Sequence, residues 1–138
     1  MSTAENKTLV RQYFEVFHNQ RQLDIGEHIL GSELLTPTLD MAAMMRTAFP
    51  DYQIVIDDQL AEADKVATVW TASGTHQGEW ASPVGPVPAT GKAVTWTGTT
   101  TLRIVDDKIA EVIGTNWDHL GILQQLGALP ATDPRSGA

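Results

Sequence analysis

Apolar side chains recur at intervals of three and four positions through the first third of the chain, which is the spacing of amphipathic helices. Ser2 followed by Glu5 is a capping-box pattern, and it predicts a first helix over about 3–18. The buried face of this helix would carry five residues: Leu9, Val10, Tyr13, Phe14 and Phe17. The chain therefore begins with a helix that has an apolar face to bury.

Two further helical segments are predicted before Pro50. Asp24–Leu30 fits a short helical piece that Gly31 ends. Thr36 and Pro37 then fit an N-cap followed by proline at the first helical position. One face of this third helix would carry Met41, Met44, Met45 and Ala48. Methionines suit a packed core, and they also suit a wall that adapts to an irregular apolar ligand.

The spacing of apolar residues changes to the strand period after Asp51. Four segments are rich in β-branched residues or alternate apolar with polar positions, and we predict these as strands: Tyr52–Gln59, Lys65–Gln77, Ala93–Val105 and Lys108–Trp117. Asp106-Asp107 is a tight turn, so the last two strands should pair as an antiparallel hairpin. Ala61–Asp64 should connect the first two strands in the same way.

The alternation is clearest in the third predicted strand. Every second residue from Val94 to Ile104 lies on one face, which includes Trp96, while the other face carries mainly threonines. The tryptophan face must point to the core. Before this strand lies a long loop over residues 81–91, with three prolines and two glycines. A loop of this length and composition between long strands is typical of a rim or lid.

Three helices followed by an antiparallel sheet indicate an α+β fold. We predict a cone-shaped barrel, in which a curved, mainly antiparallel sheet wraps on the N-terminal helices and its mouth can hold a small ligand. A short C-terminal helix would carry Leu120, Leu123 and Leu126. We expect one domain over residues 1–129 and a disordered tail over 130–138.

Composition narrows the classes of function. The chain has 138 residues, no cysteine and a formal charge of −8. The lack of cysteine excludes a disulfide scaffold, a thiolate zinc site and a cysteine nucleophile. Scattered basic residues in an acidic chain argue against a nucleic-acid partner. No apolar run has the length of a membrane helix and no signal-peptide pattern is present, so we expect a cytoplasmic protein without a membrane partner.

The four tryptophans are many for a chain of this length. If Trp70 and Trp96 face inward on neighbouring strands, they form either a packed core or a flat-sided apolar cavity that suits a ring system. His76 shares the strand parity of Trp70 and lies beside the proline-rich loop. It is either a surface histidine or a hydrogen-bonding and acid–base group at the rim of a pocket.

Asp118 lies where the last strand meets the last helix. In a pocket lined by tryptophans its charged form would be poorly solvated, so the carboxyl group could both take up and return a proton. A second hypothesis is that Asp118 only caps the following helix by accepting from its first amides. The residues themselves leave both roles open.

The sequence predicts no metal site and no cofactor. The four histidines have no metal-ligand spacing, and the chain contains neither a nucleophile elbow nor a glycine-rich dinucleotide motif. Any chemistry should therefore be proton transfer by side chains.

Five segments carry a resemblance to a known family: Gly74–Glu79, Pro88–Lys92, Arg103–Ile109, Trp117–Gly121 and Gln124–Gly127. Together they resemble the SnoaL-like polyketide cyclases, which are ester cyclases of the nuclear transport factor two-like superfamily. The resemblance extends over about 5–127 and implies the same cone-shaped α+β barrel. It agrees with the fold that the apolar pattern predicts.

The resemblance implies a cofactor-free enzyme that closes a polyketide ring by an intramolecular aldol condensation. Asp118 matches the acid–base aspartate of the family, which would take a proton from an activated methylene of an ester and deliver it to the carbonyl oxygen. The family also uses a histidine on the strand before the final hairpin and a polar residue after the third helix. This chain has Thr100–Ile104 and Ala48–Pro50 there, so only His76 could substitute for the histidine.

We therefore expect acid–base chemistry from Asp118 and His76. Substrate contacts are expected from eight residues: Trp70, Trp96, Trp117, Asn116, Tyr13, Phe17, Met45 and Phe49. The expected partner is a small apolar or polyketide-like molecule, and the resemblance implies a homodimer or larger homo-oligomer. One alternative is an isomerase or epoxide-type hydrolase, which uses a second carboxylate or an activated water in the pocket. A second buried acid near Asp118, such as Glu79 or Glu111, would favour it. Another is a non-catalytic module that binds a small molecule.

Overall fold

The computed structural model describes residues 2–128. The predicted tail over 130–138 lies outside the described residues. Within them, helices come first, strands follow, and a short helix comes last. None of the helices formed by residues 2–128 combines the length and the apolar character needed to cross a membrane.

The first helix starts at the predicted capping box. The side chain of Ser2 accepts from the backbone N–H of Glu5 at 3.1 Å, and the carboxylate of Glu5 accepts from the N–H of Ser2 at 3.2 Å. Helix α1 covers Thr3–Arg11 and widens into a π-helix over Gln12–Asn19, where backbone bonds span five residues instead of four. The predicted helical span is confirmed, but its second half has a different periodicity.

The short helical piece predicted over Asp24–Leu30 is confirmed, whereas the start of the third helix differs from the prediction. A 3₁₀ turn at Leu23–Ile25 leads into α2, Gly26–Ile29, and α3 covers Ser32–Ala48. The predicted start of α3 at Thr36 is therefore wrong, because Gly31 precedes the helix in an extended conformation and its carbonyl accepts from the N–H of Leu34. Pro37 lies inside α3, where its missing N–H removes one backbone bond.

Four strands form one antiparallel sheet in the order β1-β2-β5-β6. Their bounds are Gln53–Glu62 for β1, Lys65–Thr75 for β2, Ala93–Val105 for β5 and Lys108–Trp117 for β6. The predicted hairpin turn is confirmed: Asp106 and Asp107 both have positive φ, 51° and 64°, as a type I′ turn requires. Gly31 donates to the carbonyl of Ile109 at 2.8 Å, which ties the helical layer to β6.

The predicted proline-rich loop contains a second, two-stranded sheet. Strand β3, Trp80–Ser82, pairs with β4, Gly85–Val87, and Gly85, the first residue after the turn, has a φ of 113°. The prediction of one long loop over 81–91 is wrong where β3 and β4 pair, because Gly85 permits a tight reversal. Ala81, Ser82 and Pro83 contact the cavity described below, so the segment does form part of a rim.

The core lies between the helices and one face of the sheet. On β5 the predicted inward residues are buried, apart from half-buried Gly98: Val94, Trp96, Thr100, Leu102 and Ile104. Helix α3 contributes Met45 and Ala48, and Phe49 follows it in the same core. N-terminal helices, a mainly antiparallel sheet and a short C-terminal helix confirm the α+β prediction and agree with a cone.

Candidate functional site

A cavity of about 590 Å³ lies between the helices and the inner face of the sheet. Twenty residues line it, and most are apolar or aromatic: Tyr13, Phe14, His18, Leu34, Pro37, Thr38, Met41, Met44, Tyr52, Ile54, Trp70, Trp80, Ala81, Ser82, Pro83, Thr100, Val112, Thr115, Trp117 and His119. This volume and lining are typical of sites for small organic molecules. Met41 and Met44 contact the cavity while Met45 is buried in the core, so the methionines serve both of the roles that the sequence left open.

Three rings form a stack in the cavity wall. His119 lies parallel to Trp117, with ring centroids 5.5 Å apart, and parallel to Trp80 at 6.3 Å. Trp80 belongs to β3, Trp117 ends β6, and His119 begins helix α4, His119–Gln125. The stack therefore joins the β3–β4 hairpin to the end of the main sheet.

Trp70 forms the inner surface of the cavity on β2. Its ring meets Trp117 edge to face at a centroid distance of 5.7 Å, and its indole N–H donates to Oγ1 of Thr100 at 3.0 Å. The hydroxyl of Thr115 lies 3.4 Å from the same oxygen. These threonines give an otherwise apolar wall two hydroxyl groups that can orient a ligand.

Trp70 has this orientation because the residue opposite it on β5 is Gly98. A Cβ on Gly98 would overlap the Trp70 ring and would lie 2.6 Å from the backbone oxygen of Asn116. Glycine is therefore needed here for close approach rather than for its backbone freedom.

Gly98→Ala is expected to lower the free energy of unfolding by about 1–3 kcal/mol, the usual cost of overpacking. Urea denaturation of the variant would measure it. Gly114→Ala is the matched control, because a Cβ there has nothing within 4 Å. Equal stability of the two variants would contradict the steric role of Gly98.

The π-helix and the residue before β1 bring three polar aromatic groups to the cavity. Tyr13 and His18 meet edge to face at 4.6 Å, and both line the cavity together with Tyr52. Burial raises the pKa of the Tyr13 and Tyr52 hydroxyls. Burial, with a smaller effect from the Arg46 charge, lowers the pKa of His18 to about 3. All three groups are therefore uncharged at neutral pH.

Asp118 lies at the predicted junction and caps α4. Its Oδ1 accepts from the backbone N–H of Gly121 at 2.9 Å. The residue is exposed and does not line the cavity, although its chain neighbours Trp117 and His119 both do. The geometry thus accounts for the capping role, and the residues on either side of Asp118 belong to the cavity wall.

His76 follows β2 and is completely buried away from the cavity lining. Its Nδ1 accepts from the backbone N–H of Thr90 at 3.2 Å and lies 3.0 Å from the hydroxyl of that residue. Its backbone also bonds to Lys92 and Gly91. Burial lowers the pKa of His76. Through these contacts, His76 holds residues 90–92 against the end of β2.

The predicted substrate contacts divide into three groups. Tyr13, Trp70 and Trp117 line the cavity. Four residues are buried in the core behind it: Phe17, Met45, Phe49 and Trp96. Asn116 is exposed and lies outside the lining, because it alternates with Thr115 and Trp117 on β6. The two acids considered as second carboxylates, Glu79 and Glu111, are also exposed, and Glu111 pairs with Arg103 at 2.9 Å.

Sequence reasoning missed several cavity residues: His18, Thr38, Tyr52, Trp80, Thr100, Thr115 and His119. Trp80, as one of four tryptophans, and Thr100, as an inward position on β5, carried a usable signal. His18 carried only a partial signal, because an α-helical period places it four positions after Phe14 but turns it away from Tyr13. Within residues 2–128, no group of three or more histidine, aspartate or glutamate side chains is arranged to hold a metal ion.

Comparison with known proteins identifies the family. The model described as SnoaL-like polyketide cyclase matches residues 7–126. No protein of curated function matches this sequence. The structure of AclR, a proposed hydroxylase from Streptomyces galilaeus, is 29% identical with a TM-score of 0.78, and the match covers 98% of this chain and 93% of that one.

Two more distant structures share the fold. TsrD from Streptomyces laurentii is 22% identical with a TM-score of 0.81, over 94% of this chain and 99% of that one. A SnoaL-like polyketide cyclase from Agrobacterium tumefaciens is 18% identical with a TM-score of 0.75, over 92% and 100%. Because the family model covers most of the sequence, this chain belongs to the SnoaL-like polyketide cyclase family.

Proposed function

We propose that this protein is a cofactor-free enzyme that closes a ring in an apolar, polyketide-like ester by an intramolecular aldol-type reaction. The observation that carries the proposal is the aromatic cavity of about 590 Å³, one wall of which is built from the residues on either side of Asp118. A substrate held there would have both reacting carbons in one molecule, so positioning supplies much of the rate.

In the proposed reaction, the carboxylate of Asp118 removes a proton from an activated methylene group. The resulting carbanion attacks a carbonyl carbon of the same molecule, which forms the new carbon–carbon bond. Asp118 then returns the proton to the former carbonyl oxygen. No atom is gained or lost, so substrate and product have the same mass.

The geometry of the Asp118 carboxylate is compatible with this role. Oδ1 accepts from Gly121, whereas Oδ2 forms no hydrogen bond to any group in residues 2–128. One oxygen can therefore hold the side chain at the helix terminus while the other exchanges a proton. A ligand that fills the cavity would exclude water from the Trp117 and His119 side of the junction.

Substitution of Asp118 separates the catalytic role from the capping role. Asparagine caps helices as well as aspartate does but is not a proton acceptor, whereas alanine does neither. The probe is methyl 2-naphthylacetate, an aromatic ester with an activated methylene, whose exchange in deuterium oxide is followed by NMR. We expect Asp118→Asn to slow the catalysed exchange by about 100-fold or more without a change in Tm.

Two further variants complete this test. Asp118→Ala should also lose exchange and should lose about 1 kcal/mol of stability with the cap. Asp107→Asn, an equal change of charge in the β5–β6 turn outside the cavity lining, should exchange like the wild type. If Asp118→Asn keeps full exchange and only Asp118→Ala melts at a lower temperature, the residue is a cap alone.

The likeness to AclR favours hydroxylation as a second candidate. This reaction would need dioxygen and a reductant, and it would add one oxygen atom to the substrate. Mass spectrometry of the product separates the candidates, because ring closure leaves the mass unchanged. The isomerase or hydrolase alternative has less support, since Glu79 and Glu111 both point to solvent. A binding module without activity would bind the probe but would not catalyse its exchange.

We further propose that the chain forms a homo-oligomer through the outer face of its sheet. This face carries a row of threonines on β5: Thr95, Thr97, Thr99 and Thr101. Sedimentation equilibrium of the wild-type protein tests the proposal, and a monomer at micromolar concentration would contradict it.

A further inference from the structure

The helical end of the cavity contains a histidine to which the proposed reaction assigns no role. His18 is 4% exposed and packs edge to face against Tyr13 at 4.6 Å and Phe17 at 4.9 Å. It nevertheless lines the cavity. Its backbone carbonyl accepts from Arg46, but within the described part of the chain its ring forms no hydrogen bond. Because the ring lines the cavity and has no partner among the described residues, it can form a hydrogen bond to a ligand there.

The π-helix explains why His18 and Tyr13 share the cavity. Five positions in an α-helix correspond to a rotation of about 140°, so the two side chains would diverge. In a π-helix the turn is wider, and residues five apart share one face, as residues four apart do in an α-helix. The π-helix over Gln12–Asn19 therefore directs both polar rings into the same space.

Tyr52 completes the group from the other side. It precedes β1, lines the cavity, and stacks on Trp96 at a centroid distance of 5.9 Å. Burial, with a smaller effect from Tyr13, raises the pKa of Tyr52. Both phenols line the same cavity. Neither phenol hydroxyl bonds to another group in residues 2–128, and each keeps a proton to donate.

These three side chains offer a defined set of contacts to a ligand. A neutral imidazole has one donor and one acceptor nitrogen, and each phenol can donate and accept. A neutral hydroxyl or enol can donate to the imidazole and accept from a phenol. The charge of Arg46 acts on His18, but Arg46 does not line the cavity. A carboxylate would therefore lose its hydration here without a direct ion-pair partner, and an ammonium group would also be repelled, so the site should favour neutral groups.

We propose that His18, together with Tyr13 and Tyr52, forms an uncharged hydrogen-bonding subsite that binds the hydroxyl or enol group of a neutral, ring-containing ligand. This subsite rests on the proposed function in one respect, which is that the cavity binds small ring compounds. It adds a specificity-determining group at the helical end of the cavity.

The test compares three probes of similar shape by equilibrium dialysis at pH 7: 2-naphthol, naphthalene and 2-naphthoate. In the wild type we expect 2-naphthol to bind about tenfold more tightly than naphthalene, as one net hydrogen bond allows. The anion 2-naphthoate should bind most weakly. In His18→Phe the preference for 2-naphthol should fall to about twofold or less, while the affinity for naphthalene stays within about twofold.

Two control variants and one NMR measurement separate a role of the His18 ring from general effects of substitution. His28→Phe makes the same change at an exposed histidine and should preserve the preference. Tyr52→Phe removes one hydroxyl and should reduce the preference in part. If His18→Phe does not fold, ¹⁵N NMR of the wild-type imidazole answers the question, because its resonances should shift with 2-naphthol and not with naphthalene.

The possible outcomes distinguish the two proposals. If the wild type binds both neutral probes equally, or His18→Phe keeps the preference, the subsite is wrong and the proposed function stands. If neither neutral probe binds, both the subsite and the ligand-binding cavity are wrong. Unshifted imidazole resonances with bound 2-naphthol would also overturn the subsite.

Discussion

Acidification from pH 7 to pH 4 is expected to remove about 3 kcal/mol of the free energy of unfolding through His18 alone. The folded-state pKa of His18 is about 3 against an ordinary value of 6.5, mainly because of burial and secondarily because of Arg46. Between these values the unfolded chain binds a proton that the folded protein does not bind. The stabilisation is therefore complete above pH 6.5 and is lost, by about 1.4 kcal/mol per pH unit, as the pH falls towards 3.

Urea denaturation at pH 7, 6, 5 and 4 would measure this loss. His18→Phe should show a shallower decline than the wild type, and the difference should reach about 3 kcal/mol at pH 4. His76, whose pKa burial also lowers, acts in the same direction but is present in both proteins. His28→Phe should follow the wild-type curve. Parallel curves for the wild type and His18→Phe would show that His18 titrates normally in the folded protein.

Trp70→Ala is expected to cost about 3–5 kcal/mol of stability, the range for truncating a buried aromatic residue. The side chain is 2% exposed, packs on Trp117 and donates to Thr100, so the variant loses buried surface and one hydrogen bond. The truncation would also leave the hydroxyl of Thr100 with Thr115 as its remaining donor among the described residues. Chemical denaturation would measure the change in stability.

Val69→Ala is the control for Trp70→Ala. Val69 is the preceding residue on β2, points to the opposite face and is 38% exposed, so its truncation should cost less than about 1 kcal/mol. A loss below 1 kcal/mol in Trp70→Ala would mean that the ring is not part of the packed wall. In that case the surrounding residues would have to close over the space that it leaves.

The sheet was predictable because alternation is a local signal. The inward row on β5, from Val94 to Ile104, follows from the period of two, and the Asp106-Asp107 turn then sets the pairing with β6. The inward orientation of Trp70 and Trp96 is confirmed for the same reason. Whether an inward ring contacts a cavity or fills the core was not predictable, since that depends on residues packed from other elements.

The cavity lining was less predictable where it depends on the helical geometry of the backbone. Apolar periodicity suggested a single helix over the first span, and nothing in the local residues indicated the change to π geometry that brings His18 beside Tyr13. The start of α3 was placed too late because Thr36-Pro37 resembles a helix start. Such competing signals are decided by packing, here by the contact of Gly31 with the β6 edge.

The roles of His76 and Asp118 depended on contacts distant in sequence. Thr90 and Lys92 bond to His76 across the β3–β4 hairpin, and this arrangement buries a ring that was expected at a pocket rim. Asp118 was correctly placed at a junction between two elements, and its catalytic role stays a prediction. The sequence was a better guide to which residues lie near the site than to whether their side chains are buried or exposed.

The cavity joins the two ends of the chain. Tyr13 and His18 belong to the first helical span, whereas Trp117 and His119 come after the last strand, about 100 positions later. A ribosome adds about 5–20 residues per second. The first helix would therefore exist for several seconds before the residues that enclose Tyr13 and His18 have been synthesised. Ligand binding can begin only after synthesis has passed α4. The moment at which binding first appears during translation would therefore show when the fold is complete.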